Sequence, residues 1–227
     1  MYQLYIANKN YSSWSLRPWV LMKTLAIPFE EIMTPFTPVS SWNEFSAFSP
    51  SGKVPCLTHT QLTIWDSLAI IEYLAESHAS VWPASAEARA WARCASAEMH
   101  SGFNTIRSHC PMNIGIRLRL SQQTPELKKE LSRLDGLWNQ SLDKFGGPFL
   151  AGDIFTAVDA FFAPVAFRLQ SYDLTLSPTA LAYADRLRNL PAMVQWQQAA
   201  LKEVWREEDH ERESLDRGTL LQDLRTG

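Results

Sequence analysis

Hydrophobic and polar positions change their period partway along the chain. Tyr2 to Ala7 alternates as a strand does, and from about Ser15 to Ala26 the apolar residues Leu16, Trp19, Val20 and Met22 recur at helical spacing. Pro18 is compatible with that helix if Ser15 is its N-cap, because the proline then falls in the first turn, where backbone N–H groups have no intrahelical acceptor. Pro28 to Thr34 reads as a second strand, followed by an aromatic-rich connection carrying Trp42, Phe45 and Phe48. Val54 to Thr58 and Leu62 to Trp65 read as a hairpin turning at His59 to Gln61, and Leu68 to Ala79 as a strongly periodic helix.

After about residue 86 the pattern is helix, loop, helix. Helices are expected over Ala86 to Arg107, Pro125 to Lys144, Thr156 to Ser171, Pro178 to Asn189 and Ala192 to Val204. The highly charged tail from Arg206 to Gly227 has few large apolar residues and reads as a surface helix or a partly disordered segment. The segment Ser80 to Ser85, with Trp82 and Pro83 among small residues, reads as the linker. The expected fold is therefore α+β: a thioredoxin-like βαβ-ββα domain over residues 1–80, then an all-α helical bundle over 86–227.

Composition narrows the class. A chain of 227 residues with 46% hydrophobic content can build a substantial core. The net charge is -3 with mixed signs along the chain, so nothing resembles the basic stripe that nucleic acid or anionic lipid requires, and neither is an expected partner. No window approaches the ~20 continuous apolar residues of a membrane span, and MYQLYIANKN lacks the charged start and apolar run of a signal peptide. The three cysteines, Cys56, Cys94 and Cys110, are scattered without a CxxC pair, and the five histidines show no ligand spacing. No metal is expected, nor a disulfide framework, and the expected location is cytoplasmic.

Three local features could carry chemistry. In Tyr11-Ser12-Ser13-Trp14-Ser15-Leu16-Arg17, between the first strand and first helix, a serine could hydrogen-bond a ligand at the positive end of the helix, or merely cap it. In Ser51-Gly52-Lys53-Val54-Pro55-Cys56-Leu57, a cis Val54-Pro55 bond would leave the Val54 backbone free to pair with an extended peptide; a trans proline opening a strand is the plain alternative. In Trp65-Asp66-Ser67-Leu68, at a strand-to-helix junction, Ser67 and the helix N-terminus suit a ligand carboxylate and Asp66 a ligand amine. There, too, an ordinary N-cap is the alternative.

Together these segments resemble the glutathione transferase superfamily over about 200 residues. YSSWSLRPW resembles the serine motif of the zeta class and, more loosely, of the tau class; SPSGKVPCL resembles the segment ending in valine and cis-proline; WDSLAIIEYLAE resembles the acid-serine turn and third helix. A fourth likeness is GDIFTAVD, where Thr156 and Asp159 would form the N-capping box of a buried helix. The resemblance implies a serine-type enzyme with glutathione as co-substrate. It implies that Ser12, or Ser13 as the next candidate, touches the glutathione sulfur, that Val54 and Pro55 meet the cysteinyl part, and that Asp66 and Ser67 hold the γ-glutamyl end. Lys53 would face the glycine end. It also implies a two-fold homodimer and a small hydrophobic electrophile as second partner. His100, Phe103 and Arg107 are candidates to line the electrophile's cleft or simply to pack helices. Departures from the family pattern are Trp14 in place of the zeta cysteine, RPWVLM in place of RVRIAL, and Lys53 in place of a common glutamine. The expected activity is conjugation. The alternatives are a glutathione-dependent isomerase of the maleylacetoacetate type and a non-catalytic protein of the same fold. A redox-cysteine reductase is disfavoured, since serines and Trp14 stand where a CxxC would be.

Overall fold

The computed structural model describes residues 1–37 and 41–227. Its first half runs β1 (Tyr2–Ile6), α1 (Ser13–Thr24), β2 (Phe29–Met33), α2 (Ser41–Phe45), β3 (Cys56–His59), β4 (Leu62–Trp65) and α3 (Ser67–Ala75). The four strands form one sheet in the order β2-β1-β3-β4. β1 is parallel to β2 and antiparallel to β3, which forms the expected hairpin with β4, pairing Cys56 with Trp65 and His59 with Leu62. Alternation places Leu4 and Ile6 of β1 in the core, where α1 covers them with Leu16 and Val20, all without solvent exposure. This is the thioredoxin-like arrangement.

The second half contains α4 (Ala86–Ser101), α5 (Asn104–His109), β5 (Ile116–Leu120), α6 (Pro125–Phe145), α7 (Ala157–Ser171), α8 (Pro178–Arg188), α9 (Pro191–Lys202), α10 (Glu208–Leu215) and β6 (Gly218–Asp223). Helix α7 is buried on all sides and packs against α1, α4 and α8, which makes it the axis of the molecule. Its start is fixed by the expected capping box of Thr156 and Asp159. The Asp159 carboxylate accepts hydrogen bonds from Thr156 N (2.9 Å), Leu150 N (3.0 Å) and the Tyr183 hydroxyl (2.9 Å). The largest fully buried side chains, Trp19, Trp138 and Trp196, lie in one contiguous cluster spanning both halves.

Several sequence expectations are revised. Helix α1 begins at Ser13 with Ser12 in the N-cap position, so Pro18 lies beyond the first turn and removes the N–H that the Trp14 carbonyl would have accepted. The expected helix over Ala86 to Arg107 is two helices. Phe103 takes a left-handed backbone conformation (φ 52°), and a side chain at Gly102 would meet the Glu98 carbonyl oxygen at 2.8 Å. The broken ends are stabilised from elsewhere: Arg107 Nη1 donates to Met99 O (2.9 Å), and the Glu130 carboxylate accepts from Thr105 N (3.1 Å) and Ile106 N (2.8 Å). The bundle is helical as expected but also carries a two-stranded antiparallel ribbon, β5 with β6. The charged tail that supplies β6 is ordered by polar contacts, with Arg225 bridging Glu211 and Asp223, rather than by an apolar stripe.

The Asp159 carboxylate is fully buried and satisfied by three donors, so truncation would leave those donors unpaired. Asp159→Ala should lower stability by roughly 3 kcal/mol, and by thermal melting this should appear as a fall of about 6–12 °C.

Candidate active site

Three cavities meet around Trp14, at the N-terminal end of α1. The first, of about 400 Å³, lies between the segment before β3 and the start of α3; Lys53, Val54 and Pro55 line one part, Asp66 and Ser67 another. The second, of about 280 Å³, is lined by Ser12 and Phe45 and shares Lys53, Val54 and Trp14 with the first. The third, of about 230 Å³, is lined by Ser13, Arg107 and Arg168 and shares Trp14 and Phe36 with the second. The five residues expected around a glutathione backbone are thus neighbours. Ser12 adjoins them through Val54, whereas Ser13 opens on a different space. Of the three residues considered for the cleft, Arg107 lines the third cavity. His100 instead meets Asp66, and Phe103 faces a separate groove beside Glu98 and Glu130.

Local backbone geometry sets these positions. The Val54–Pro55 bond is cis, as expected. Gly52 before it has φ +59°, and a Cβ there would lie 2.1 Å from the Trp42 ring, so this turn requires glycine. Asp66 also has a positive φ (73°), and its carboxylate accepts from Leu68 N at 2.8 Å, capping α3. Capping uses one lone pair of a group with several, so Asp66 can accept from a ligand as well. Ser67 is buried and accepts from Arg17 Nη1 at 3.4 Å.

The loop that presents the serines is held by the second half. The Glu203 carboxylate, just past α9, accepts from Lys9 N (2.6 Å) and Asn10 N (3.1 Å), and Trp196 Nε1 donates to Lys9 O (2.9 Å). Asn10 bridges to Asn113 and to Gly115 N. The Ser12 hydroxyl donates to Ser15 Oγ at 2.7 Å, a contact that leaves its own lone pairs free and that a rotation about χ1 or of the O–H can exchange for a ligand.

Arg17, unremarked in the sequence beyond its place in the motif, is central. It is buried, its Cζ lies 4.0 Å from the centre of the Trp14 ring and 5.0 Å from that of Phe161, and its Nη1 reaches His100 Nδ1 at 3.5 Å. Burial lowers its pKa well below the usual arginine value, with Arg168 and Arg107 adding like-charge repulsion and Asp66 opposing. His100 is squeezed the same way: burial holds its pKa below 6.5, Asp66 pulls it up, and Arg17 and Arg107 push it down. The 3.4 Å contact of His100 Nε2 with Asp66 is therefore a neutral imidazole donating to a carboxylate that is itself 45% exposed, not a strong ion pair. Arg17, Arg168 and Glu203 carry no sequence signature; charged residues at buried positions of otherwise helical patterns are their one trace.

Among the described residues, no group of three or more His, Cys, Asp or Glu side chains could hold a metal ion. Among the described residues, no helix is long and apolar enough to cross a membrane.

Residues 11–77 match the family model described as glutathione S-transferase, N-terminal domain. A relative named "Probable maleylacetoacetate isomerase" from Caenorhabditis elegans is 25% identical over 200 residues, covering 84% of this chain and 90% of its own. A "Glutathione S-transferase zeta class" protein from Euphorbia esula is 26% identical, covering 69% of this chain and 70% of its own. A crystal structure of a glutathione transferase homolog from Burkholderia GL BGR1, with bound glutathione, superposes with a TM-score of 0.67 at 24% identity, covering 88% of this chain and 97% of that one, and shares the fold.

A histidine whose protonation the fold disfavours makes a stability contribution that is present above its unfolded pKa and lost as pH falls. The His100 ring should therefore titrate below the ordinary 6.5, and Asp66→Asn should move its midpoint lower still by removing the opposing charge. Imidazole proton–nitrogen NMR correlations across pH 4–8 read both, with Nε2 carrying the proton in the neutral form.

Proposed function

We propose that this chain, whose residues 11–77 match the glutathione S-transferase N-terminal domain, is a serine-type, cytoplasmic member of the glutathione transferase superfamily that activates the glutathione thiol for attack on a small electrophile. The observation that carries this reading is the convergence of Lys53, Val54, Pro55, Asp66 and Ser67 on one cavity, with Ser12 bordering the adjoining space. In the proposed pose the γ-glutamyl amine meets the Asp66 carboxylate, its carboxylate meets Ser67 and the N-terminus of α3, and the cysteinyl backbone pairs with Val54. The glycine carboxylate faces Lys53. The sulfur then lies towards Ser12. Residues 1–80 act as the glutathione-binding domain and 86–227 as the domain for the second substrate, in a homodimer.

Ser12 is assigned as a donor to the sulfur anion, since a serine hydroxyl does not hold a proton usefully at neutral pH. A free thiol of pKa about 8.5 is roughly 3% ionised at pH 7, and the thiolate is the nucleophile. One hydroxyl hydrogen bond beside the positive end of α1 lowers that pKa by about two units. The thiolate sulfur then forms a bond to the electrophilic carbon, whose leaving group departs with the bonding electron pair; the thiol proton goes to solvent.

A second reading is a glutathione-dependent isomerase, supported by the relatives named as probable maleylacetoacetate isomerases. The two differ in stoichiometry. A transferase consumes one glutathione per turnover and an isomerase none, which a thiol assay on substrate-exhausted reactions distinguishes.

Replacing Asp66 or Ser67 by alanine should weaken glutathione binding by about 1–3 kcal/mol each, measured by calorimetry; unchanged affinity in both would move the site elsewhere. Asp66→Ala should also lose about 1 kcal/mol of folding stability with its cap.

Ser12→Ala should leave glutathione affinity nearly intact while returning the bound thiol's pKa from about 6.5 to about 8.5. Turnover at pH 7 should then fall roughly twenty-five-fold and recover as pH rises. Ser13→Ala, on the far side of the same turn, is the control and should change activity little. An ultraviolet thiolate titration of both variants decides the assignment: an unaltered pKa in Ser12→Ala removes Ser12, and a defect in Ser13→Ala transfers the role.

A further inference from the structure

The third cavity holds a charge imbalance that glutathione, as assigned above, does not use. Arg107 and Arg168 line it with Trp14, Phe36, His210 and Glu213. Arg168 is buried; its Nε donates to Cys110 O at 2.8 Å, and its two terminal NH2 groups have no hydrogen-bond partner among the described residues. Arg107 directs Nη1 to Met99 O and His100 O and Nη2 to Asn104 Oδ1, with its Cζ 5.4 Å from the centre of the Trp14 ring. Among the described residues, neither arginine forms a salt bridge, and neither does Arg17 behind Ser67. Burial pushes Arg168 down to about 10, which still leaves it a cation at neutral pH.

Arg168 is buried and Arg107 half-buried, and the excess positive charge where they face a common space is costly unless something anionic arrives. We propose that the second substrate carries a single carboxylate, held in this cavity by Arg107 and Arg168, with its electrophilic carbon directed past Trp14 towards the Ser12 cavity. The inference rests on glutathione occupying the first cavity. Planar guanidinium forks match a carboxylate in geometry. Charge selects the same group: the two arginines against Glu213, the one carboxylate lining the cavity among the described residues, leave one positive charge, which a monoanion neutralises and a dianion such as phosphate overshoots. The ring of Trp14, with Phe36 and His210 stacked at 4.7 Å, supplies an apolar surface for the remainder of the molecule. His210 itself is engaged by Glu207 at 2.6 Å and stacked on Tyr11, so it adds shape rather than a free charge. A volume of about 230 Å³ suits a small organic acid rather than a peptide.

The test is a pair of probes differing in charge alone, 3-nitrobenzoate and 3-nitrobenzamide, titrated calorimetrically into the full-length protein saturated with S-methylglutathione, which cannot react. The benzoate should bind at least tenfold more tightly than the benzamide. Arg107→Gln and Arg168→Gln should each reduce that preference to threefold or less, and Glu213→Gln, an exposed position, should increase it. Arg107→Gln and Glu213→Gln decide the matter where the buried Arg168 variant fails to fold. Equal affinities in the unmodified protein, including no measurable binding of either probe, would overturn the proposal, as would a preference that survives Arg107→Gln. The S-methylglutathione isotherm, recorded first, separates the two ideas: its absence removes the glutathione reading and this one with it, whereas a normal isotherm with no charge preference removes this one alone.

Discussion

The guanidinium of Arg17, buried where the two halves meet, is the constraint on which the site depends. From α1 it reaches Ser67 at the start of α3, His100 on α4 and the ring of Phe161 on α7, and it lies across Trp14. Its Nε has no partner, and among the described residues no carboxylate approaches within salt-bridge distance. Such a group is expensive to bury, since a charge loses hydration that neutral hydrogen bonds and aromatic faces restore in part. What it gains is position: four elements from both halves are referenced to one rigid, planar group, and the wall of all three cavities, Trp14, is stacked on it.

The same logic governs the loop before α1. The short loop that leads to Ser12 receives its support from chain nearly two hundred residues away. Glu203 satisfies two consecutive backbone N–H groups, and its carboxyl is raised by burial while those N–H groups and Lys9 hold it down. Lys9 is in turn ion-paired with Glu31 of β2. The sheet, the serine turn and the end of α9 are therefore joined by polar contacts that the tryptophan cluster of Trp19 and Trp196 shields from water. A site at the junction inherits the rigidity of both halves.

Legibility in the sequence followed the kind of force at work. Elements driven by apolar periodicity or local capping were readable: β1, the β3–β4 hairpin, α6 opening at Pro125 and α7 behind its Thr156–Asp159 box lie where the pattern puts them. The break between α4 and α5 was not, because alanine-rich periodicity runs up to Gly102 and the interruption depends on Glu130, distant in sequence, satisfying the new N-terminus. Nor was β6, whose residues are mostly exposed and whose strand exists because β5 offers an edge and Arg225 ties the tail to Glu211. At the site, the short motifs named Ser12, Val54, Asp66 and Ser67 as a group and helical spacing offered Arg107 for the cleft, while Arg168 and the burial of Arg17 were silent. A buried charge has the same one-letter code as a solvated one, and only the fold distinguishes them.

That silence bears on how a thioredoxin-like half acquires specificity. The part of the site built by local turns, Gly52 to Pro55 and Trp65 to Ser67, comes from contiguous sequence and can be kept as a unit. The part beyond Trp14 is assembled from the loops carrying Tyr11 and Phe36, from α1, from α5 and the segment after it, and from α7 and α10, each contributing one or two side chains. A substitution at Arg107, Arg168 or Glu213 changes the charge or shape of the third cavity at a residue that does not line the first. Trp14 is the shared boundary, so its indole both closes one space and floors the next, and the cations stacked against it, Arg17 and Arg107, extend a positive potential across that boundary. An anion on the far side and a thiolate on the near side would draw on the same field, which couples the two proposed occupants electrostatically through a single aromatic wall.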